Sequence, residues 1–404
     1  MKKEHLNKTN WKRFLKVASL VVAILAFVWL AQHYVLTRLD VHQRRLEGFY
    51  MEEKDSMDMV ILGASETYNG YVPARAWDEY GLTSYLYGYQ ANPVTLWTYQ
   101  LKEIEKRQHP QLLLVECNGA IYVDQELDNP AEVRFMTDDM PLSKNKIQLI
   151  NEQATESKLS YYFPFLKYHS ELIPGNGSAS KFLLEKRGFN ILRGAQARMN
   201  GDDISDDVID VTGDDSIADL DPRAEEALRA FLEQCRESDI EHIVFVHFPH
   251  VVTDYNYDRY QRYHMVKKIV EENGFDYIDM DDFTDEMDIT FEKDFLDCEH
   301  LSADGARKLT DYMVPYLMER YDITPRKQSA KAVAQWEESL EYYNHLYEYW
   351  KYFRASYPGA TADGYDLNDS ATSGYRIDSY FNDEPIGTEP ISRIDLFKYT
   401  LKSK

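Results

Sequence analysis

Cysteine is scarce in this chain: Cys117, Cys235 and Cys298 are the three in 404 residues. An odd and small set excludes a disulfide framework, so an apolar core must hold the fold, and the thiols read as small buried residues. Positive charge is short too. With 45 Lys and Arg against 69 Asp and Glu, the formal net charge of -24 argues against nucleic acid or an anionic lipid surface as partner of the main body. There is no internal repeat, lipobox or sorting motif. Long apolar runs are also missing, with one exception at the N-terminus.

That exception sets the compartment. Lys2, Lys3, Lys8, Lys12, Arg13 and Lys16 precede an apolar run over residues 17–31, with Phe14, Leu15, Tyr34 and Val35 at its edges. The run with its edges approaches the ~20 residues that cross a bilayer as a helix, with Lys16 snorkelling. A signal-peptide core has a similar length, but Trp29-Leu30-Ala31 puts bulk where cleavage needs a small residue. An uncleaved single-pass anchor over residues 1–36 is the expectation. The basic flank keeps the N-terminus cytoplasmic and places the rest outside the cell.

Residues 37–55 read as a linker or short helix. Beyond them, Met59-Val60-Ile61-Leu62, Leu112-Leu113-Leu114-Val115, Ile243-Val244-Phe245-Val246 and Tyr277-Ile278-Asp279-Met280 are short apolar runs with the character of buried strands. Helical patterns over residues 94–106, 223–237 and 259–273 lie between them. Continuous apolar strands alternating with amphipathic helices predict an α/β fold with a central parallel sheet covered on both faces. Such sheets bind ligands beyond the carboxyl ends of their strands, where residues 63–65, 116–119 and 247–250 fall. Residues 56–325 form this domain, interrupted by an insertion at about 122–220 that holds an aromatic segment around Tyr161 and His169. The acidic stretch 201–221 lacks the spacing and glycine of a calcium loop and reads as solvated. Ser302 caps a last helix over residues 303–320. Residues 326–357 form a tyrosine-rich helical extension, either docked on the domain or offering a glycan platform, and 358–404 a loop-rich tail.

The chemistry sits in two distant segments. Ser65 follows a buried strand and opens a helix or turn, where backbone amides can donate to an oxyanion. Asp297 and His300 share the loop before the last helix, so one loop can deliver a base and its orienting carboxylate. Serine needs such a base at neutral pH. His247 and His250 flank Phe248-Pro249 at a strand end; no third ligand at helpful spacing accompanies them, so no metal is expected.

Gly63-Ala64-Ser65-Glu66 and Asp297-Cys298-Glu299-His300, in that order and placement, resemble the blocks of the SGNH/GDSL hydrolase family. The resemblance implies a flavodoxin-like three-layer sandwich, Ser65 as nucleophile, His300 as base, Asp297 as orienting acid, and no cofactor. It implies an oxyanion hole from Ser65, Gly88 in Tyr87-Gly88-Tyr89, and Asn118. The third block departs from the family's Gly-x-Asn-Asp, reading Glu116-Cys117-Asn118-Gly119, with Asn92 as the other candidate donor. The membrane-anchored layout is similar to envelope proteins of this family that handle acyl groups on surface polymers, such as teichoic-acid D-alanylation proteins and polysaccharide O-acetyltransferases. That implies an esterase or acyltransferase on an envelope polysaccharide or polymer, beside a membrane-bound O-acyltransferase. A non-catalytic protein that binds glycan or docks such an enzyme is the competing expectation, and a metal-dependent phosphoesterase a third.

Overall fold

The computed structural model describes residues 2–34, 41–168, 189–197, 208–356, 360–364, 375–381 and 384–391. Five parallel strands form the central sheet: β1 (Met59–Gly63), β2 (Ser84–Gly88), β3 (Leu112–Glu116), β4 (His242–His247) and β5 (Asp276–Asp279), in the order β2-β1-β3-β4-β5. The fold is therefore α/β with helices on both faces. Alternation along β1 shows why. Met59 and Ile61 enter one apolar core with Leu309, Met313 and Tyr342, while Val60 and Leu62 enter a second with Trp97, Phe231 and Val266. Every residue of β1, β2 and β3 is buried, which explains the apolar runs Met59–Leu62 of β1 and Leu112–Val115 of β3.

Strand β2 escapes the apolar-run criterion because tyrosines carry it. Tyr85 donates its hydroxyl to the Arg45 carbonyl at 2.7 Å, and Tyr87 shares a 3.1 Å hydrogen bond with Tyr50, so both bury their rings without stranding a polar atom. Gly88, at its end, pairs with Gly63. A Cβ there would stand 2.5 Å from the Gly63 carbonyl oxygen and 2.9 Å from Thr67 Oγ1. Gly88→Ala should destabilise the protein by about 1–3 kcal/mol although it keeps the backbone amide. An unchanged denaturant midpoint for that variant would refute this packing argument.

The segment expected as a linker or short helix contains the helix Val41–Met51, with Arg45, Leu46 and Phe49 buried; Arg45 donates to the Gly194 carbonyl at 2.9 Å and lies 3.8 Å over the Tyr68 ring. Its charged sequence hid a packed face. Within the insertion, Ile191, Leu192 and Ala195 join the first core. Of its candidates, His169 lies outside the described residues. Finally, Ala360–Gly364, Tyr375–Phe381 and Glu384–Ile391 form a three-stranded antiparallel sheet where a loop-rich tail is expected, because alternation there is masked by Gly, Asp and Pro.

The last two helices follow the expectation closely. Ala303–Arg320 starts at Ser302, whose Oγ accepts the Gly305 amide at 3.3 Å. Ala330–Ser356 buries Trp336, Tyr342 and Tyr343, favouring docking over a glycan platform for that part of the helix. At the N-terminus, Lys2–Tyr34 is one helix whose Asn10–Leu30 portion is long and apolar enough to cross a membrane and is not buried against the body. All three cysteines are buried thiols outside any disulfide.

Candidate functional site

The strand order reverses direction between β1 and β3, and chains leaving these neighbours diverge to leave a crevice at their carboxyl ends. Ser65 stands there. It is half-buried, the first residue of the helix Ser65–Gly70, two residues past the end of β1. The turn is fixed from two sides: Thr67 Oγ1 donates to the Ala64 carbonyl at 2.7 Å, and the Ala64 amide donates to Glu116 Oε2 at 3.2 Å. Gly63 is required because a Cβ would lie 2.7 Å from that of Glu116.

His300 and Asp297 come from a loop closed at its base by the Phe295–Leu301 bridge and by Ser302 donating to the Asp294 carbonyl at 2.7 Å. Gly305 matters here, since any side chain would strike that same Asp294 carbonyl. The Val251 amide donates to the Cys298 carbonyl at 2.8 Å, tying the loop to the end of β4. Asp297 Oδ1 accepts the Glu299 and His300 amides, each at 2.9 Å, and its two oxygens stand 2.8 and 2.9 Å from His300 Nδ1. A carboxylate only accepts, so Nδ1 carries the proton and Nε2 is left for a nucleophile. Burial pushes the His300 pKa down, but the Asp297, Glu66 and Glu299 carboxylates outweigh it and hold the imidazolium above its ordinary range. Asp297 responds oppositely: burial raises it, while His300 and the two amides carry it below its usual value.

The two segments meet. The Val72 amide donates to Thr310 Oγ1 at 3.0 Å, packing the helix that follows His300 beside the one that begins at Ser65. Glu66, next to Ser65, is within electrostatic range of both His300 and His250. Ser65 Oγ donates to Glu66 Oε2 at 3.4 Å, a long contact, and makes no hydrogen bond to His300 in this state.

The candidate oxyanion donors are arranged less favourably. Gly88 is enclosed within β2, as described above. Asn118 is buried; its backbone amide donates to Glu116 Oε1 at 2.6 Å and its side-chain amide to the Tyr263 hydroxyl at 2.9 Å. Asn92 donates Nδ2 to the Gly63 carbonyl at 3.0 Å, bracing the turn from below.

Beneath Ser65 lies a cluster of buried charge that the sequence did not advertise. Glu66 and Glu116 are almost fully buried, and His250 Nε2 stands 3.8 Å from Glu66 Oε1. Burial first, then the neighbouring Glu66 charge, push the Glu116 carboxyl well above the carboxylate range. His250 is lowered by burial but raised more by Glu66, reaching about 9. A glutamate directly after the serine, and another ending an otherwise apolar strand, were the available signals. His247 stacks on His250 at 4.6 Å, and its Nδ1 meets Asp279 Oδ1 at 3.1 Å and Asp281 Oδ2 at 3.6 Å. The two carboxylates at the end of β5 thus supply neighbours that linear spacing did not offer His247; the three donor atoms lie within 4.8 Å of one another.

Raised histidines make the fold's stability pH-dependent. His250 and His300 bind protons more tightly folded than unfolded, so their contribution is complete below about 6.5, the ordinary histidine value, and is lost as pH rises through the folded value, about 9 for His250. The melting temperature should therefore fall between about pH 6.5 and 9. A flat or rising profile in that window would contradict the buried imidazolium.

A cleft of about 1080 Å³ opens beside this edge, lined among others by Glu126, Asp128, Arg223, Tyr255, Arg259 and Arg262. Arg259 bridges it to the histidine loop, pairing with Glu126 at 2.7 Å and with Glu299 at 3.3 Å. Compared with known proteins, the chain matches no protein-family model and no curated protein.

Proposed function

We propose that the chain is an SGNH-type serine esterase or O-acyltransferase, anchored by its N-terminal helix with the α/β body outside the cell, acting on ester-linked acyl groups of envelope glycans or polymers. The observation that carries this reading is the orientation of His300: Asp297 fixes the proton on Nδ1, and the helix that follows this loop packs beside the one that Ser65 opens. In the first half-reaction Ser65 Oγ bonds to the acyl carbon, its proton passes to His300 Nε2, and the ester C–O bond breaks as that proton moves to the departing alkoxide. In the second, His300 takes a proton from water or a sugar hydroxyl, whose oxygen bonds to the acyl carbon; the bond to Ser65 Oγ breaks, and Oγ takes the proton back from His300 Nε2. Backbone amides at Ser65, and Gly88 or Asn118 after a rearrangement of their present contacts, would serve the oxyanion. The adjoining cleft, with its guanidinium–carboxylate pairs and the 77% exposed ring of Tyr255, supports a polyhydroxylated acceptor.

A second reading is a non-catalytic glycan-binding or docking protein on the same scaffold. The engagement of Asn118 with Tyr263 and the enclosure of Gly88 favour it. Covalent labelling by a fluorophosphonate separates the two. Labelling of the wild type that disappears in Ser65→Ala is expected; no labelling, or equal labelling of both, favours the binding role.

A further inference from the structure

Four acid–base groups converge behind the proposed nucleophile, from four parts of the chain. Glu66 lies on the helix of Ser65, Glu116 at the end of β3, His250 after β4, and His300 in the terminal loop. The proton positions follow from hydrogen-bond chemistry. His250 Nδ1 stands 2.7 Å from the Phe248 carbonyl, which can only accept, so Nδ1 is protonated. Nε2 of the same ring faces Glu66 Oε1 and has no hydrogen-bond partner of its own; a bare nitrogen lone pair there would oppose a carboxylate. The pair is therefore an imidazolium facing a carboxylate. Glu116 spends both oxygens on the amides of Ala64 and Asn118, leaving Glu66 as the carboxylate available to the serine side.

We propose that Glu66, clamped by His250, is a positioning carboxylate for the reaction: it holds the resting Ser65 hydroxyl and, with Asp297, balances the positive charge that His300 acquires. This rests on the esterase reading for its catalytic part. In the resting state Ser65 Oγ leans on Glu66 Oε2, and attack requires that hydrogen bond to be exchanged for one to His300 Nε2. When the serine proton arrives on His300, Asp297 faces the ring from its own loop, the Glu66 charge acts on it from the helix that packs beside the one after His300, and Glu299 pairs with Arg259. Glu66 itself stays ionised throughout and exchanges no proton. The other titratable groups around it are Glu116 below, Tyr122 after β3, Tyr263 on the helix Tyr257–Glu272, and Asp281, whose Oδ1 accepts the His250 amide at 2.9 Å.

The test is an NMR titration of the full-length chain in detergent with ring-15N histidine, comparing wild type, Glu66→Gln and Glu66→Asp. In Glu66→Gln the His300 midpoint should drop by roughly 1 pH unit, and Glu66→Asp should recover part of that shift. An unmoved His300 midpoint in a folded Glu66→Gln overturns the proposal. If Glu66→Gln does not fold, the wild type still decides: both His250 nitrogens should be protonated at neutral pH, and a neutral His250 tautomer overturns the clamp. Where turnover is measurable, the acid limb of kcat/KM should move to lower pH in Glu66→Gln, which a merely structural loss would not produce. The NMR shifts need no turnover, so a catalytically silent protein that shows them loses the esterase reading and keeps the buried pair.

Discussion

Asp297→Asn should lower kcat/KM on an ester substrate on the order of 10⁴-fold, about 5.5 kcal/mol of transition-state stabilisation, while leaving the fold intact. The derivation is local. Asp297 Oδ1 accepts two backbone amides, so an asparagine would keep its carbonyl oxygen there and turn its NH₂ toward His300. That NH₂ donates to Nδ1, forcing the ring proton onto Nε2 and removing the base from the face the serine needs. Ser65→Ala should cost as much or more, with loss of covalent labelling. Measured rates within tenfold of wild type for Asp297→Asn would remove the carboxylate from the mechanism and with it the case for a triad.

The second large effect is on stability. Trp336→Ala should cost about 3–5 kcal/mol, lowering the melting temperature by roughly 10 °C. Trp336 is 1% exposed, stacks on Trp77 with ring centroids 5.6 Å apart, and carries the Arg193 guanidinium 4.5 Å from its ring. Arg193 in turn pairs with buried Glu52 at 3.1 Å, so removing the indole also loosens a charge that has no water to turn to. Near-wild-type melting would mean that the helix Ala330–Ser356 is an accessory to the domain and not a wall of it. The result separates a chain in which residues 326–357 merely extend the body from one in which they complete its core.

How much of this was readable beforehand depends on which interaction does the specifying. Strands β1, β3 and β4 are legible because hydrophobic burial on both faces writes itself as Leu, Ile and Val in unbroken runs. The last helix is legible to its first residue because capping by Ser302 is local chemistry. Strand β2 and the helix Val41–Met51 are not, since Tyr85 and Arg45 bury themselves only by finding carbonyl partners far along the chain. Ser65, Asp297 and His300 could be picked by order and spacing. Glu66, Glu116 and His250 could not be given roles, because a buried charge differs from a surface one by its neighbours, and those come from three separate strands' ends.

The packed helix at residues 41–51 leaves only residues 35–40 between it and the apolar helix. Fully stretched, those residues reach on the order of 20 Å. Were Asn10–Leu30 to lie across a bilayer, as the proposed function has it, the body would be held on a short leash at the lipid surface. An envelope polymer would then have to be presented there, and growing or lipid-linked chains would be met before mature ones.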